Sequence, residues 1–512
     1  RKIMKNKDLL YALNEIDDTY IREAGEAKFK NRRRRWIALG IAAACICVVV
    51  GVQHFIRRDN SKGHEGENSQ GNLPQSGEVL QEVQTGTISA DFAVVQASYP
   101  ECAPYPSEAD LDGDFSQEKE ENYKAMLAKW VREREERVSR SENYQDDLYS
   151  FYKTTMQEFL VSGENTNRIY SPLNLYMALS MLTELTDGDS RTQILNLLDA
   201  PDLSAVRERA AALWTANYCD DGMVTSLLAN SIWMRQGVPF IQETMQTLAD
   251  TYYVSSFQGE MGSEAFTRAF HSWLNAQTGG LLSDQVGNLE MDKNTVLELA
   301  STIYYSAQWQ DRFFEEETRE EIFHKADGNI SCDFMHRSEV GVCYRGNNFS
   351  AVRCGLKMSG DMWLFLPEES ANVNEVVENG EILDLIGNPG NWEDKIHAEI
   401  GLSLPKFDVV SDIDLIEGLK TLGVVDVFDV GLADFSPMCE GADNICMSEA
   451  KHAARVTVDE KGCVAAAYTI MAVEDGAVIA TEKIDFVLNR PFVFAITGVD
   501  GTVLFIGVVE EP

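Results

Sequence analysis

The groups of this 512-residue chain that could do catalytic chemistry are 82 carboxylates, ten cysteines and seven histidines. They form none of the arrangements that such chemistry needs. There is no G-x-S-x-G elbow, no H-E-x-x-H, no P-loop and no G-x-G-x-x-G. No histidine has a serine or cysteine partner at a diagnostic spacing, and among so many acidic residues close carboxylate pairs arise by chance. No C-x-x-C occurs, and no Cys/His spacing resembles a zinc site. No catalytic residue, metal or cofactor is therefore expected. Ten cysteines are too few for a disulfide scaffold at this length. Cys102, Cys219, Cys332, Cys343, Cys354, Cys439, Cys446 and Cys463 are read as mostly free or buried thiols, with any pairing left open.

One segment does carry a chemical pattern. Val456-Thr457-Val458-Asp459-Glu460-Lys461-Gly462-Cys463-Val464-Ala465-Ala466-Ala467-Tyr468-Thr469 starts like a strand and passes through a glycine into small residues. Ile470 to Ile479 then follow without any basic side chain. Other ordered motifs surround it. Upstream stand Arg168-Ile169-Tyr170-Ser171-Pro172-Leu173, Asp187-Gly188-Asp189-Ser190-Arg191-Thr192-Gln193-Ile194 and Trp273-Leu274-Asn275-Ala276-Gln277-Thr278-Gly279-Gly280. Next come Ile303-Tyr304-Tyr305 through Trp309, with Phe313, Thr318-Arg319 and Phe323-His324. Leu404-Pro405-Lys406-Phe407, Leu422-Gly423-Val424 to Phe428 and Asp434-Phe435-Ser436 continue the series. Asn489-Arg490-Pro491-Phe492-Val493-Phe494 and Gly501-Thr502-Val503-Leu504-Phe505-Ile506-Gly507 close the chain.

Taken in this order, the motifs resemble those of the serpin family over residues 144–512. The resemblance implies an α+β serpin fold, with helices packed on three β-sheets and an exposed reactive-centre loop. Its hinge would comprise Glu460, Gly462, Cys463, Ala465, Ala466, Ala467 and Thr469, and its reactive bond would lie within three residues of Gly476–Ala477. Ser171, Ser301, Trp309 and His452 would occupy the shutter and breach, where the main sheet opens. The implied function is a suicide substrate of serine proteases that traps the acyl-enzyme when the cleaved loop enters that sheet. With no Lys or Arg between Ile470 and Glu482, the expected target is elastase- or subtilisin-like, a serine or possible cysteine protease. The alternative, from another class, is a non-inhibitory binding or structural module on the cell surface.

Strand alternation explains why such a hinge is composed of small residues. Every second side chain of an inserted strand must enter the core. With Cys463 as the first inward position, Cys463, Ala465, Ala467 and Thr469 go in, and none is large or charged. Val464, Ala466 and Tyr468 face out. Against the family's habit, Cys stands for Thr or Ser at 463, Val for Glu at 464, Tyr for Ala at 468 and Ser for Asn at 301. The shorter Ser301 puts its hydrogen bond to His452 in doubt. His452 is read as structural. The hinge thiol of Cys463 is expected to be at least partly exposed before cleavage.

The elements that must carry this loop follow from composition and periodicity. A hydrophobic fraction of 44% and a net charge of −38 indicate a folded acidic protein and exclude nucleic acid as its main partner. Residues 1–35 carry 11 Lys+Arg against 6 Asp+Glu and read as a cytoplasmic basic tail. Trp36 to Ile56 is free of Asp, Glu, Lys and Arg, and would span about 31 Å as a helix, enough for a ~30 Å bilayer core. The basic cluster before it sets the N-terminus inside. No small-x-small site follows it, and apolar residues continue past Ala42-Ala43-Ala44-Cys45, against a signal peptide or a lipoprotein signal. The expectation is a single-pass membrane anchor at 36–56 with the serpin domain outside a bacterial-type cell, acting as a monomer. Residues 57–143 read as an extracellular linker, with a charged, solvated helix from about Ser116 to Ser139 as a stalk in which Glu120/Lys124 and Glu133/Arg137 pair. Leu148, Phe151, Tyr152, Met156, Phe159 and Leu160 make one helical face, and Ser171-Pro172 starts another helix. Val296–Tyr305, Met362–Leu366, Ala454–Val458, Phe492–Thr497 and Val503–Val508 read as buried strands.

Overall fold

A computed structural model describes residues 92–106, 117–141, 144–441, 444–463 and 482–512. Helices α1 (Gln117–Val138), α2 (Gln145–Leu160), α3 (Pro172–Leu185), α4 (Gly188–Leu197), α5 (Leu203–Asn217), α6 (Gln242–Tyr252) and α7 (Glu264–Gln277) dominate its first half. Each expected apolar residue of α2 is buried. Ser171 caps α3 by accepting from Asn174 N–H, with Pro172 in its first turn, as the motif predicts.

The strands form two sheets. In the first, β1 (Ala93–Val95), β5 (Val254–Gly259), β4 (Thr225–Arg235), β6 (Leu297–Gln308), β14 (Gly462–Cys463), β13 (Lys451–Val458) and β12 (Phe407–Asp414) lie in that order, with β3 (Cys219–Asp220) on β4. In the second the order is β15 (Lys483–Val487), β11 (Lys395–Pro405), β8 (Gly328–Gly346), β9 (Phe349–Gly355), β10 (Asp361–Pro367), β16 (Phe492–Thr497), β17 (Val503–Val509) and β2 (Arg168–Tyr170), with β7 (Arg319–Lys325) on β8. The expectation of three separate sheets is corrected to two among the described residues. The 19-residue β8 runs without a break from β7 to β9, and joins what would otherwise be two sheets. All five expected strands are present, each within three residues of its expected ends.

In the first sheet β4, and nearly all of β5, is buried on both faces. The large core packs α3, α5 and α6 against one side. A second cluster, with Trp233, Phe257, Phe266, Phe270 and Trp273 at its centre, seats α7 on the other. Gly279 follows α7 with φ +58°, and a Cβ there would stand 2.7 Å from the Tyr304 ring. Glycine in the W-x-x-x-x-T-G motif thus lets the helix end lie directly on β6.

The solvated-stalk reading of α1 is corrected. Trp130 is only 4% exposed, and its indole N–H donates to Asp221 Oδ2 at 2.9 Å. Lys124 pairs with Glu120 as expected, but Arg137 donates to Tyr218 O and Cys102 Sγ, leaving Glu133 to Lys129. The preceding segment is docked as well: β1 adds to the edge of β5, and the Tyr99 ring stacks on Tyr218. A high charge count hid these few anchoring side chains. The expected span at 36–56, the tail before it and residues 57–91 lie outside the described residues. Among the described residues no helix is long and apolar enough to cross a membrane.

Truncating the anchor tests this docking. Trp130→Ala should lower stability by about 3–5 kcal/mol, whereas Lys124→Ala on the exposed face should change it by less than about 0.5 kcal/mol. Denaturant titrations of the native state measure both, and equal small effects would restore the solvated stalk.

Candidate functional site

The site lies at one end of the first sheet, where β6 and β13 are bridged by β14. A tight turn, Asp459 to Gly462, connects β13 to β14. Asp459 N–H donates to Gly462 O at 3.1 Å, and the Asp459 carboxylate accepts from Lys461 N–H and Gly462 N–H. Gly462 sits at φ +153°, and any Cβ would strike the carbonyl oxygen of Ala307. Only glycine lets the chain turn back so close to β6. Gly462 then pairs with Gln308, and Cys463 pairs with Ala307 on one side and Val458 on the other.

Beside this turn stands Trp309, buried, whose indole N–H donates to Asp459 O at 2.8 Å and whose backbone N–H donates to Lys461 O. Glu460 points inward and accepts from Lys406 Nζ and Thr318 Oγ1, both at 2.7 Å. Burial disfavours the Glu460 carboxylate, but these two bonds outweigh it and hold the carboxyl below its ordinary range. Lys406 and Thr318 lie in expected motifs, but their joint grip on Glu460 needs the fold to be seen. Phe313 N–H donates to Glu460 O, closing the clamp.

Farther along the same strands lies a second set of bonds. His452 on β13 is 6% exposed, and its Nε2 accepts the backbone N–H of Ser171 at 2.9 Å. Burial lowers its pKa to about 4, so the ring is neutral and able to accept. Ser301 on β6 is held differently from the expected shutter. Its carbonyl accepts from Asn174 Nδ2 at 3.0 Å, while His452 bonds to Ser171 instead. The short serine side chain is replaced by the longer reach of Asn174. That residue was missed in the sequence, although its place three residues after the Ser171 cap was a usable signal. The first turn of α3 therefore ties down both β13 and β6.

The inward register assigned to Cys463 agrees with its burial, but its expected exposure is corrected. Only 2% of it is accessible. The turn folds back so sharply that β14 begins at Gly462, and among the described residues no extended stretch lies between the turn and the sheet. Burial raises its thiol pKa far above the ordinary value. Ala465, Ala466, Ala467, Thr469, Gly476 and Ala477 lie outside the described residues.

Residues 147–512 match the family model described as serpin (serine protease inhibitor). The chain belongs to the serpin family. Serpin-ZX of Arabidopsis thaliana is 26% identical over 369 residues, covering 68% of this chain and 93% of the plant protein. Human antithrombin-III is 26% identical over 382 residues, covering 71% and 81% respectively. Among solved structures, the thermophilic serpin tengpin in its native state superposes with a TM-score of 0.63 at 23% identity, over 72% of this chain and 94% of tengpin. Serpins are in the main protease inhibitors and not enzymes, so the partner class of this serpin is a protease. The hinge of this serpin is thus already engaged in the sheet at Gly462 and Cys463.

Two measurements follow. His452 has a folded pKa of about 4 against 6.5 for an unperturbed ring, so between these values the unfolded chain binds a proton that the native chain refuses. Native stability should therefore fall as pH drops from about 6.5 towards 4, by up to about 3 kcal/mol from this group. His452→Gln should flatten that part of the profile in denaturant titrations, and an unchanged slope would place the titration elsewhere. A bulky maleimide should leave Cys463 unlabelled in the uncleaved native protein and modify it after denaturation, as peptide mapping can read. Full native labelling would contradict the buried hinge.

Proposed function

We propose that this serpin inhibits a protease as a suicide substrate, with the register of β14 as the observation that carries the reading. Cys463 lies between Ala307 and Val458, with its side chain inside. Continuing that antiparallel register after cleavage brings Ala465 between Tyr305 and Val456, Ala467 between Ile303 and Ala454, and Thr469 between Ser301 and His452. A small cavity, lined among others by Tyr305, Val456 and Cys463, lies where the next inward side chain would arrive. Alternating small residues can occupy such positions without overpacking.

The target's own nucleophile attacks the loop near Gly476–Ala477 and forms an acyl-enzyme. Insertion of the cleaved loop then carries the attached protease across the molecule before water releases it. The driving energy is that of a fold held short of its most stable pairing. The absence of Lys and Arg from Ile470 to Glu482 favours an elastase- or subtilisin-like target. The uncharged run Trp36–Ile56 supports a membrane anchor that holds a monomeric inhibitor outside the cell.

A pair of substitutions tests the register. Ala465→Glu would bury a carboxylate between Tyr305 and Val456, and should turn the inhibitor into a substrate, with many molecules consumed per protease. Ala466→Glu would face outward beside Arg455 and should keep trapping close to one to one. Equal loss in both variants would overturn the register. Heat separates inhibition from a binding module: verified cleavage of the unaltered loop should raise the unfolding temperature by on the order of tens of degrees. No shift would leave the non-inhibitory reading.

A further inference from the structure

Cys102 and Cys219 meet where the segment 92–106 crosses the end of α5. The Cys102 and Cys219 thiols are close neighbours, each the strongest influence on the other's titration. Arg137 of α1 reaches both: its Nη1 lies 2.8 Å from Cys102 Sγ and its Nη2 lies 3.8 Å from Cys219 Sγ. Nη1 also donates to Tyr218 O at 2.9 Å, which fixes the guanidinium in place. Both thiols are free and partly accessible. A fixed guanidinium that reaches two neighbouring sulfurs makes the environment of a reactive dithiol. Neither the family's loop mechanism nor the hinge uses these residues.

We propose that Cys102 and Cys219 are a redox couple whose disulfide fastens the segment 92–106 to β3. The oxidant class is a small-molecule disulfide. The Cys102 thiolate attacks one sulfur of that disulfide, forming a mixed disulfide and expelling the first thiolate. Cys219 then attacks the Cys102 sulfur, giving up its proton, and the second small thiol leaves. Two protein thiols are oxidised and one small disulfide is reduced to two thiols.

The surroundings assign the roles. The neighbouring Cys219 thiol, aided by the charge of Arg137 and opposed by burial, pulls the Cys102 thiol below its ordinary range. The neighbouring Cys102, followed by burial, pushes Cys219 well up, making it the resolving thiol. Tyr99, Arg134, Tyr218, Asp220, Asp221 and Tyr305 are the other titratable or charged groups at this junction, and Asp220 is itself raised to about 6 by burial. The segment is otherwise held by Tyr105 N–H to Asp221 O, Ala97 N–H to Ser255 Oγ and the pairing of β1 with β5. A covalent link at Cys102 would keep β1 on the sheet edge when those contacts open.

The test uses the full native chain with glutathione disulfide at pH 7, followed by acid quench and peptide mapping without reduction. The expected product is a peptide pair joined through Cys102 and Cys219. Cys219→Ser should stop at a glutathione adduct on Cys102, and Arg137→Gln should slow the first step several-fold. In the reduced protein, alkylation of Cys102 should slow far less from pH 8 to pH 6 than the roughly 80-fold of an ordinary thiol. The proposal is overturned if Cys102 stays unmodified, if its adduct persists with Cys219 intact, or if either thiol links to another cysteine.

Discussion

Backbone pairing at the centre of the first sheet is the constraint on which the rest of the molecule depends. β6 and β13 each offer a hydrogen-bonding edge, and among the described residues only the two-residue β14 joins them. An edge of unpaired N–H and C=O groups seeks a strand. The surrounding structure must therefore admit one strand, in one register, at one end. Gly462 sets that register, because a side chain there could not pass the Ala307 carbonyl. Trp309 and Glu460 hold the turn, so that entry begins at Cys463.

The first turn of α3 governs the same pairing from below. Ser171 reaches β13 through His452, and Asn174 reaches β6 through the Ser301 carbonyl. Each is a single hydrogen bond, worth about 1 kcal/mol net. Spread over two strands, such bonds can hold a sheet in place and still yield to a strand that supplies a bond at nearly every residue. Neutral His452 belongs to this balance: an imidazolium could not accept the Ser171 N–H, and its burial would be costly.

Much of this was legible in the residues because local chemistry and tertiary role coincide. A Ser-Pro pair caps a helix wherever it stands, and Gly462 followed by small residues predicts a turn and an insertable strand on steric grounds alone. The misses have a common cause. Cys463 looked exposed because the tightness of the Asp459–Gly462 turn depends on where β6 runs. Asn174 looked like an ordinary helix residue because its partner lies 127 positions away. The division into three sheets failed because nothing in Gly328–Gly346 signals that one strand will serve two neighbourhoods. The docking of α1 failed for a similar reason: Trp130 and Arg137 are two residues in a helix of 22, and periodicity averages them away.

That docking also bears on the central constraint. A sheet able to accept a strand in its middle must refuse strands at its rims, where intermolecular pairing would lead to aggregation. At one rim the open side of β5 is covered by β1, which is only three residues long and offers little further edge. At the other rim β12 carries Asp408, Asp412 and Asp414, all at least partly exposed, and charges on an edge discourage a second chain. Ser411 of β12 also accepts the Ile169 N–H, drawing part of that strand towards β2. The N-terminal segment thus has a physical role that a linker lacks. It closes one of the two edges that insertion at the centre would otherwise leave to chance.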